Sequence, residues 1–373
     1  MDDTIHSKVA ACDFSNTQLE KPMKSIFLFL SFFLALFITG CKKANTDTPV
    51  NNRGKHALTG LVTMGSTQDL RNGNFDVLKE ARVHPDIYSG AVIKATWGAL
   101  EPQRGVFDFS SIRKALSDIA GYNNRHPDHK LGAKLRVSAT IHPPDWVLNL
   151  ANGPVEIVVN ASVSYDIALF WTVPYREAWH ELQLKLAETF DTDTLLQEVC
   201  ITSPAMATDE PFVTIFNPST IHNLQQKGFT DEAFQQALKG TLDDYSCWKK
   251  TFIDFSFNTY RKIDSGVPVN DMDFTIGLIK AFKSRYGKRA VLSNHGLQEN
   301  LTAGALSIYQ TFLALGGDIA AQTKAPGDLT DQTFRVGLQY GVSEFEIWDS
   351  REAGGYADFT LNDLIRWKNI IQH

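Results

Sequence analysis

Two glutamates, Glu210 and Glu346, lie in segments where a carboxyl group could do chemistry. Glu346 lies in the apolar run "VSEFEIWDS", and Glu210 lies in "PAMATDEPF", directly after another apolar run, "LLQEVCITS". Two carboxyl groups that flank one bond can share the work of catalysis. A protonated carboxyl donates a proton, and an ionised one acts as a base or a nucleophile. The chemistry therefore depends on which acids point into a common cleft.

Alternation along the last apolar run predicts where Glu346 points. Side chains of a strand alternate between its faces, so Glu346 and Trp348 share one face and the apolar residues of "EFEI" share the other. If helices cover the apolar face, Glu346 and Trp348 point inward. A buried Glu346 needs cationic partners, which Lys94 or Arg136 could supply. Two interpretations stay open: an ion pair that plugs the interior, or a second catalytic or substrate-holding carboxylate.

Other polar and aromatic residues lie at the ends of apolar runs. Trp97 and Glu101 follow "SGAVIKAT", and His142 directly follows "LGAKLRVSATI". Asn294 and Gln322 lie near the ends of two later runs. In α/β folds, ligands bind at the carboxyl ends of the strands. We therefore expect these side chains to contact a substrate.

The elements that would position these residues alternate regularly. Strand-like runs are followed by helical ones eight times between residue 57 and the end of the chain. The count and the length predict an α/β protein, a single (β/α)8 TIM barrel with loop insertions after strands 3 and 4. A doubly wound open sheet is the alternative, but no Gly-rich phosphate loop follows the first strand. The predicted strands lie at residues 56–64, 89–97, 131–141, 195–203, 255–263, 288–296, 317–326 and 341–350.

Several segments resemble a known family. "WGALEPQRGVFDFSSI" resembles the second-strand segment of (β/α)8 glycoside hydrolases of the clan A type, which includes the beta-galactosidase families. "KLRVSATIHPPDWV" is similar to their third strand, and "VPYREAWHELQLKLAETF" to the helix before their fourth. The resemblance runs over most of residues 57–371. It implies a sugar cleft at the barrel mouth, with Trp97 and Glu101 at its rim.

The resemblance also implies roles for single residues. The family places its acid/base Glu just after strand 4, usually behind an Asn; here Glu210 follows Asp209, which is the alternative acid. Its nucleophile ends strand 7, where this chain has Gln322. Trp348 corresponds to a Trp that forms the sugar platform. Since Gln cannot be a nucleophile, Glu346 is the best remaining partner, and we expect Glu210 to be the proton donor.

The N-terminal sequence predicts an export signal rather than a part of the folded domain. Met23 and Lys24 precede an apolar run over residues 26–38, too short to span a bilayer comfortably and typical of a signal peptide. The run ends in "FITGC", which resembles the lipobox of bacterial lipoproteins, whose Cys, here Cys41, is acylated. We therefore expect an upstream extension and signal peptide over residues 1–41, a flexible tether over 42–56 and the barrel domain over 57–373. This predicts a lipid-anchored protein of the cell envelope, on its periplasmic or outer face.

Composition narrows the function classes. The net charge of −6 argues against nucleic acid as a partner. No His, Asp or Glu cluster has metal-ligand spacing, so we expect neither a metal nor a cofactor. Cys200 and Cys247 are isolated, which predicts small packed side chains and no disulfide framework. The sequence thus predicts a glycoside hydrolase-like protein that cleaves an extracytoplasmic oligo- or polysaccharide. The alternatives are a non-catalytic carbohydrate-binding lipoprotein on the same barrel, and a barrel lyase or esterase.

Overall fold

Eight parallel strands close into a barrel. A computed structural model describes residues 54–65, 69–70, 75–140, 142–205 and 210–372. In chain order the barrel strands are β1 (Gly60–Thr63), β2 (Gly90–Thr96), β3 (Gly132–Ser138), β6 (Leu196–Ile201), β7 (Phe252–Ser256), β10 (Ala290–Leu297), β11 (Asp318–Thr323) and β12 (Glu344–Ile347). Each pairs with its neighbours in the chain order, and β12 closes the ring on β1. The predicted (β/α)8 barrel is confirmed.

Helices surround the barrel. They are α1 (Lys79–Val83), α2 (Trp97–Leu100), α3 (Ser110–Arg125), α4 (Asp145–Leu148), α5 (Val173–Phe190), α6 (Pro218–Gln226), α7 (Asp231–Asp244), α8 (Met272–Tyr286), α9 (Ala303–Leu315), α10 (Asp331–Gln339) and α11 (Leu361–Gln372). Side-chain caps begin many of them, because the first N–H groups of a helix lack intrahelical partners. Thr230, Asp271, Thr302 and Thr330 accept such bonds at α7 to α10. Thr360 and Asp363 bond each other reciprocally and form a capping box at the start of α11.

The barrel strands sort their side chains by face. Phe345 and Ile347 belong to the large apolar core between strands and helices, whereas Glu344 and Glu346 contact a lysine inside the barrel. The same alternation places the apolar residues Val62 and Val92 inside, in a small separate cluster. Most of the apolar core therefore lies outside the strands, and charged groups occupy the middle of the barrel.

The insertions after strands 3 and 4 are present. The first contains α4 and a hairpin of β4 (Val155–Asn160) and β5 (Val163–Ile167), and the second contains α6. A further ribbon, β8 (Arg261–Lys262) with β9 (Val269–Asn270), follows the fifth barrel strand and was not predicted.

Two predicted boundaries are wrong. The fifth strand was placed at residues 255–263 but begins at Phe252, because pairing with β10 fixes its register. The sequence pattern of residues 231–255 predicts one continuous helix, but α7 ends at Asp244, where a short 3-10 turn leads into that strand.

Two smaller expectations concern the cysteines and the membrane. Cys200 is buried and Cys247 half-buried, and both are free cysteines in the described part of the chain. Among the residues that the structure describes, no helix combines the length and the apolar character needed to cross a bilayer.

Candidate functional site

One cavity opens beside the carboxyl ends of the later barrel strands. Its volume is about 400 Å³. The described residues that line it come from the loops after β6, β7 and β11, from the end of β10 and from the start of α9. They are Glu210, Val213, Thr214, Phe216, Asn258, Thr259, Arg261, Asn294, His295, Gly296, Gln298, Thr302, Ala305, Ile308 and Lys324. This set, the Glu210 pocket, contains a single carboxylate, two amides besides Asn294 and an aromatic ring.

Glu210 is held in the pocket by two neighbours. Its Oε1 lies 2.9 Å from Nδ1 of His295, and its Oε2 accepts a hydrogen bond of 2.7 Å from Nδ2 of Asn258. Asn258 lies two residues past the end of β7, and His295 lies in β10. Two barrel strands therefore fix the carboxylate that the preceding loop supplies.

The surroundings of Glu210 bear directly on its expected role as proton donor. Burial alone would raise its pKa, but the hydrogen bond and positive charge of His295 and the bond from Asn258 together lower the pKa below the usual value. A carboxyl group with a lowered pKa is ionised at neutral pH. The lowered pKa therefore favours a base or nucleophile over the expected proton donor.

Glu346 is locked inside the barrel. Nη2 of Arg136 donates to both of its oxygens, at 2.7 and 2.8 Å, and Nζ of Lys134 lies 3.1 Å away. Burial would raise its pKa, but these two cations lower it strongly. Glu346 is thus ionised, as expected, with Arg136 as one of the foreseen partners. Lys94, the other foreseen partner, instead donates to the carbonyl oxygen of Gly65.

Lys134 occupies a cage of four carboxylates. Its Nζ lies 2.9 Å from Glu198, 2.6 Å from Asp254 and 2.5 Å from Glu344, besides Glu346. Burial opposes the lysine's charge, but the four acids raise its pKa well above the usual value. Burial and the neighbouring acids raise the pKa of Glu344.

Three of these acids could in principle hold a metal ion. Oxygens of Glu198, Asp254 and Glu344 lie within 4.8 Å of one another, and the sequence analysis did not foresee this cluster. The lysine ammonium lies within ion-pair distance of each of them and supplies the internal cation. Lys134, together with Arg136 at Glu346, therefore offsets part of the negative charge of these buried acids.

Trp97 and Glu101 do not reach the pocket. Trp97 is fully buried, and its ring contacts the edges of Trp146, Tyr175 and Trp179. Its Nε1 donates to Glu101 at 2.9 Å. The other oxygen of Glu101 accepts from the amide of Gly105, whose φ of 76° suits glycine. These contacts give the segment a structural role. The expectation that Trp97 and Glu101 lie at the rim of a sugar cleft is therefore wrong.

The remaining site candidates divide between the pocket and other places. Asn294 lines the pocket, but its amide is engaged by the backbone of Phe257 and Gly296. His142 is exposed, and Gln322 is buried; neither lines the Glu210 pocket. Trp348 packs inside the barrel against the cluster of Val62 and donates to Thr323. The structure thus brings only Glu210 and Asn294 of the expected residues into one cavity.

His295 is the residue that sequence reasoning undervalued. By alternation it shares a face with Val291, which packs inside the barrel, whereas Asn294 shares a face with Leu292 of the outer core. This parity was readable from "AVLSNHGL" and favoured His295 as the inward group. Asp209 and Cys41 lie outside the described residues.

Comparisons with known proteins support the fold. No protein-family model and no curated protein matches this sequence. The endo-beta-1,4-glucanase from Xanthomonas axonopodis pv. citri superposes with a TM-score of 0.50 at 10% identity, covering 84% of this chain and 99% of its own.

Two further structures are similar. Endo-glycoceramidase II from Rhodococcus sp. has a TM-score of 0.49 at 14% identity and covers 83% of this chain and 78% of its own. A GH5-4 broad specificity endoglucanase from an uncultured bacterium has a TM-score of 0.47 at 8% identity and covers 79% of this chain and 84% of its own. The structural neighbours are glycoside hydrolases, and at these identities the likeness is one of fold.

Proposed function

We propose that this protein is a glycoside hydrolase-like barrel that binds an oligo- or polysaccharide in the Glu210 pocket. The observation that carries the proposal is the Glu210 carboxylate, fixed by Asn258 and His295 and facing a cavity at the carboxyl ends of barrel strands. Barrel enzymes place their sites at this end. The endo-beta-1,4-glucanase of the same fold acts on a sugar polymer by its name.

The pocket has the chemistry that a sugar requires. Hydroxyl groups of a saccharide bond to carboxylate, amide and hydroxyl side chains, and Glu210, Gln298 and Thr214 provide all three kinds. Phe216 adds an aromatic face for the apolar C–H surface of a sugar ring.

Hydrolysis would use Glu210 as an ionised group. A carboxylate with a lowered pKa serves as base or nucleophile rather than as proton donor. The imidazole of His295, in contact with Glu210, is the neighbouring group able to carry a proton. In this scheme Glu346 does not touch the sugar, since it is buried under Arg136 and Lys134.

Binding without hydrolysis is the second candidate function. It is favoured because no second carboxylate lies among the described residues that line the Glu210 pocket. Glycoside hydrolysis in most families requires two. In this case Glu210 would hold sugar hydroxyls and cleave nothing.

One experiment separates the two functions. The purified protein is tested against beta-glucans, beta-galactans and beta-mannans, measuring affinity by calorimetry and cleavage by released reducing ends. Loss of cleavage in Glu210→Gln, with cleavage retained in the exposed control Glu177→Gln, indicates a hydrolase. Binding without reducing ends indicates the non-catalytic protein. Absence of both with these neutral glycans and with acidic ones refutes the proposal.

The location is part of the same proposal. A signal peptide that ends at Cys41 would place the barrel outside the cytoplasm on a lipid anchor. Polysaccharides of the cell envelope or the surroundings would then reach the pocket directly.

A further inference from the structure

The Glu210 pocket carries an excess of positive charge. Among the described residues that line it, the charged ones are Glu210, Arg261 and Lys324. The single carboxylate is already bonded by Asn258 and His295. The two cations therefore face the cavity of a chain whose net charge is −6. The pocket is thus positively charged although the whole chain is negatively charged. Binding of a neutral sugar does not account for this difference.

Arg261 is oriented by an aromatic neighbour rather than by an acid. It lies in the β8–β9 ribbon, and its guanidinium carbon lies 4.9 Å from the ring centroid of Phe216. The adjacent Lys262 forms an ion pair with the nearby carboxylate of Asp271 at 2.7 Å. Within the described part of the chain, no carboxylate forms an ion pair with Arg261. A stacked guanidinium keeps its N–H edge available for a planar oxyanion.

Lys324 reaches the same cavity from another strand. It directly follows β11, and its backbone N–H donates to the carbonyl oxygen of Leu297 at 3.0 Å, which ties this position to the end of β10. Its side chain is exposed and has no carboxylate within ion-pair distance among the described residues. Arg261 and Lys324 thus reach the same pocket from two different strands.

The size of the cavity makes the two charges act together. A sphere of about 400 Å³ is only about 9 Å across, close to the Debye length of roughly 8–10 Å at moderate ionic strength. An anion inside the cavity would be attracted by both side chains at once. We infer that the Glu210 pocket binds an acidic saccharide, whose ring carboxylate or sulfate is held by Arg261 and Lys324. This inference rests on the proposed saccharide binding and names its substrate class.

Matched acidic and neutral ligands test the inference with the full-length protein. One pair is oligogalacturonate and its methyl ester, and the other is a sulfated glycan and its desulfated form. We expect the acidic member to bind about tenfold more tightly, as two partly exposed ion pairs would provide. The preference should shrink between about 0.05 and 0.5 M salt. Which of the two acidic ligands binds identifies the anionic group as carboxylate or sulfate.

Variants of equal charge make the test specific. The double variant Arg261→Gln with Lys324→Gln should bind both members of a pair alike. The control, Lys280→Gln with Lys288→Gln, changes the net charge equally at exposed residues outside the pocket and should keep the preference. Equal binding of acidic and neutral members by the unaltered protein overturns the inference and leaves the proposed function standing. Failure of neutral and acidic glycans alike overturns both.

Discussion

Glu346 is held at the centre of the barrel by charge rather than presented to a ligand. Arg136 and Lys134 both contact it, and it is almost fully inaccessible to solvent. Burying a carboxylate is unfavourable unless cations and hydrogen bonds compensate it. Removing its charge would leave Arg136 buried without its bidentate partner, so the residue matters first for stability.

We therefore predict that Glu346→Gln mainly destabilises the fold. The free energy of unfolding should fall by about 3–5 kcal/mol, the usual result of breaking a buried pair from one side. The exposed control Glu177→Gln, on α5, should stay within about 0.5 kcal/mol of the parent. Urea denaturation at neutral pH measures both. An unchanged midpoint together with lost saccharide cleavage would instead make Glu346 a catalytic group.

Asp349 is a second buried acid with a measurable consequence. Burial and the neighbouring Glu80 raise its pKa to about 6, although Lys94 and a hydrogen bond from Thr63 oppose the rise. Its Oδ2 has no hydrogen-bond partner among the described residues. An Asp in the unfolded chain has a pKa of about 3.9. The folded state therefore holds this proton more tightly than the unfolded state.

The sign of this shift predicts how stability depends on pH. Below about pH 4 Asp349 is protonated in both states and does not change the free energy of unfolding. As the pH rises to about 6, it ionises more readily in the unfolded state, so the fold is progressively destabilised. Asp349→Asn, which stays neutral, should be more stable than the parent at pH 7.5 by roughly 1–3 kcal/mol, since one pKa unit is worth about 1.4 kcal/mol. The advantage should vanish near pH 4. Urea titrations across this range measure it, with exposed Asp128→Asn as a control that should show no such trend.

At the scale of elements, the end of β2 is fitted tightly to the loop after β3. Gly98, in α2, donates its N–H to the carbonyl oxygen of His142 at 3.2 Å. A Cβ atom on Gly98 would lie 2.6 Å from that oxygen. Backbone, rather than a flexible side chain, would have to move to accept it.

A pair of alanine substitutions isolates this contact. Gly98→Ala should lower the free energy of unfolding by about 1–3 kcal/mol, as overpacking does. Gly277→Ala, inside α8, has nothing within 4 Å of the new methyl group and should raise it by about 0.5–1 kcal/mol through helix propensity. Chemical denaturation of both variants provides the measurement. If Gly98→Ala proves as stable as Gly277→Ala, the close approach does not constrain the barrel.

The same elements show what sequence can and cannot predict. Alternation within "EFEI" identified the inward face of β12, because burial of every second residue is a local pattern. The start of β7 was predicted too late in the chain. Aromatic residues on both sides of Phe255 have the same strand preference, so the local sequence does not mark the first residue of the strand. Only the pairing with β10 fixes it.

The site was harder to predict than the fold. Trp97 looked like a ligand platform at the end of a strand, but the rings of α5 that bury it come from about eighty residues further along the chain. The pairing of Glu210 with His295 likewise depends on a loop and a distant strand meeting. Such contacts are set by tertiary packing, which no local pattern records.

At the scale of the whole molecule, the expected membrane anchor lies outside the described barrel. No described helix is suited to span a bilayer, and the expected anchor, Cys41, lies outside the described residues. The apolar run over residues 26–38 followed by "FITGC" predicts that the chain is cleaved before Cys41 and acylated on it. Everything upstream, including Cys12, would then be absent from the mature protein.

Two cysteine variants test this anchor. Cys41→Ala should abolish lipidation, so that the protein leaves the membrane fraction or accumulates as a longer precursor, because a short apolar run alone binds a bilayer poorly. Cys12→Ala should remain in the membrane fraction with a mature mass identical to that of the parent. Fractionation of cells and intact-mass spectrometry measure both outcomes. A mature chain that begins upstream of Cys41 and carries no lipid would contradict the anchor, and the barrel would then need another route to its saccharide.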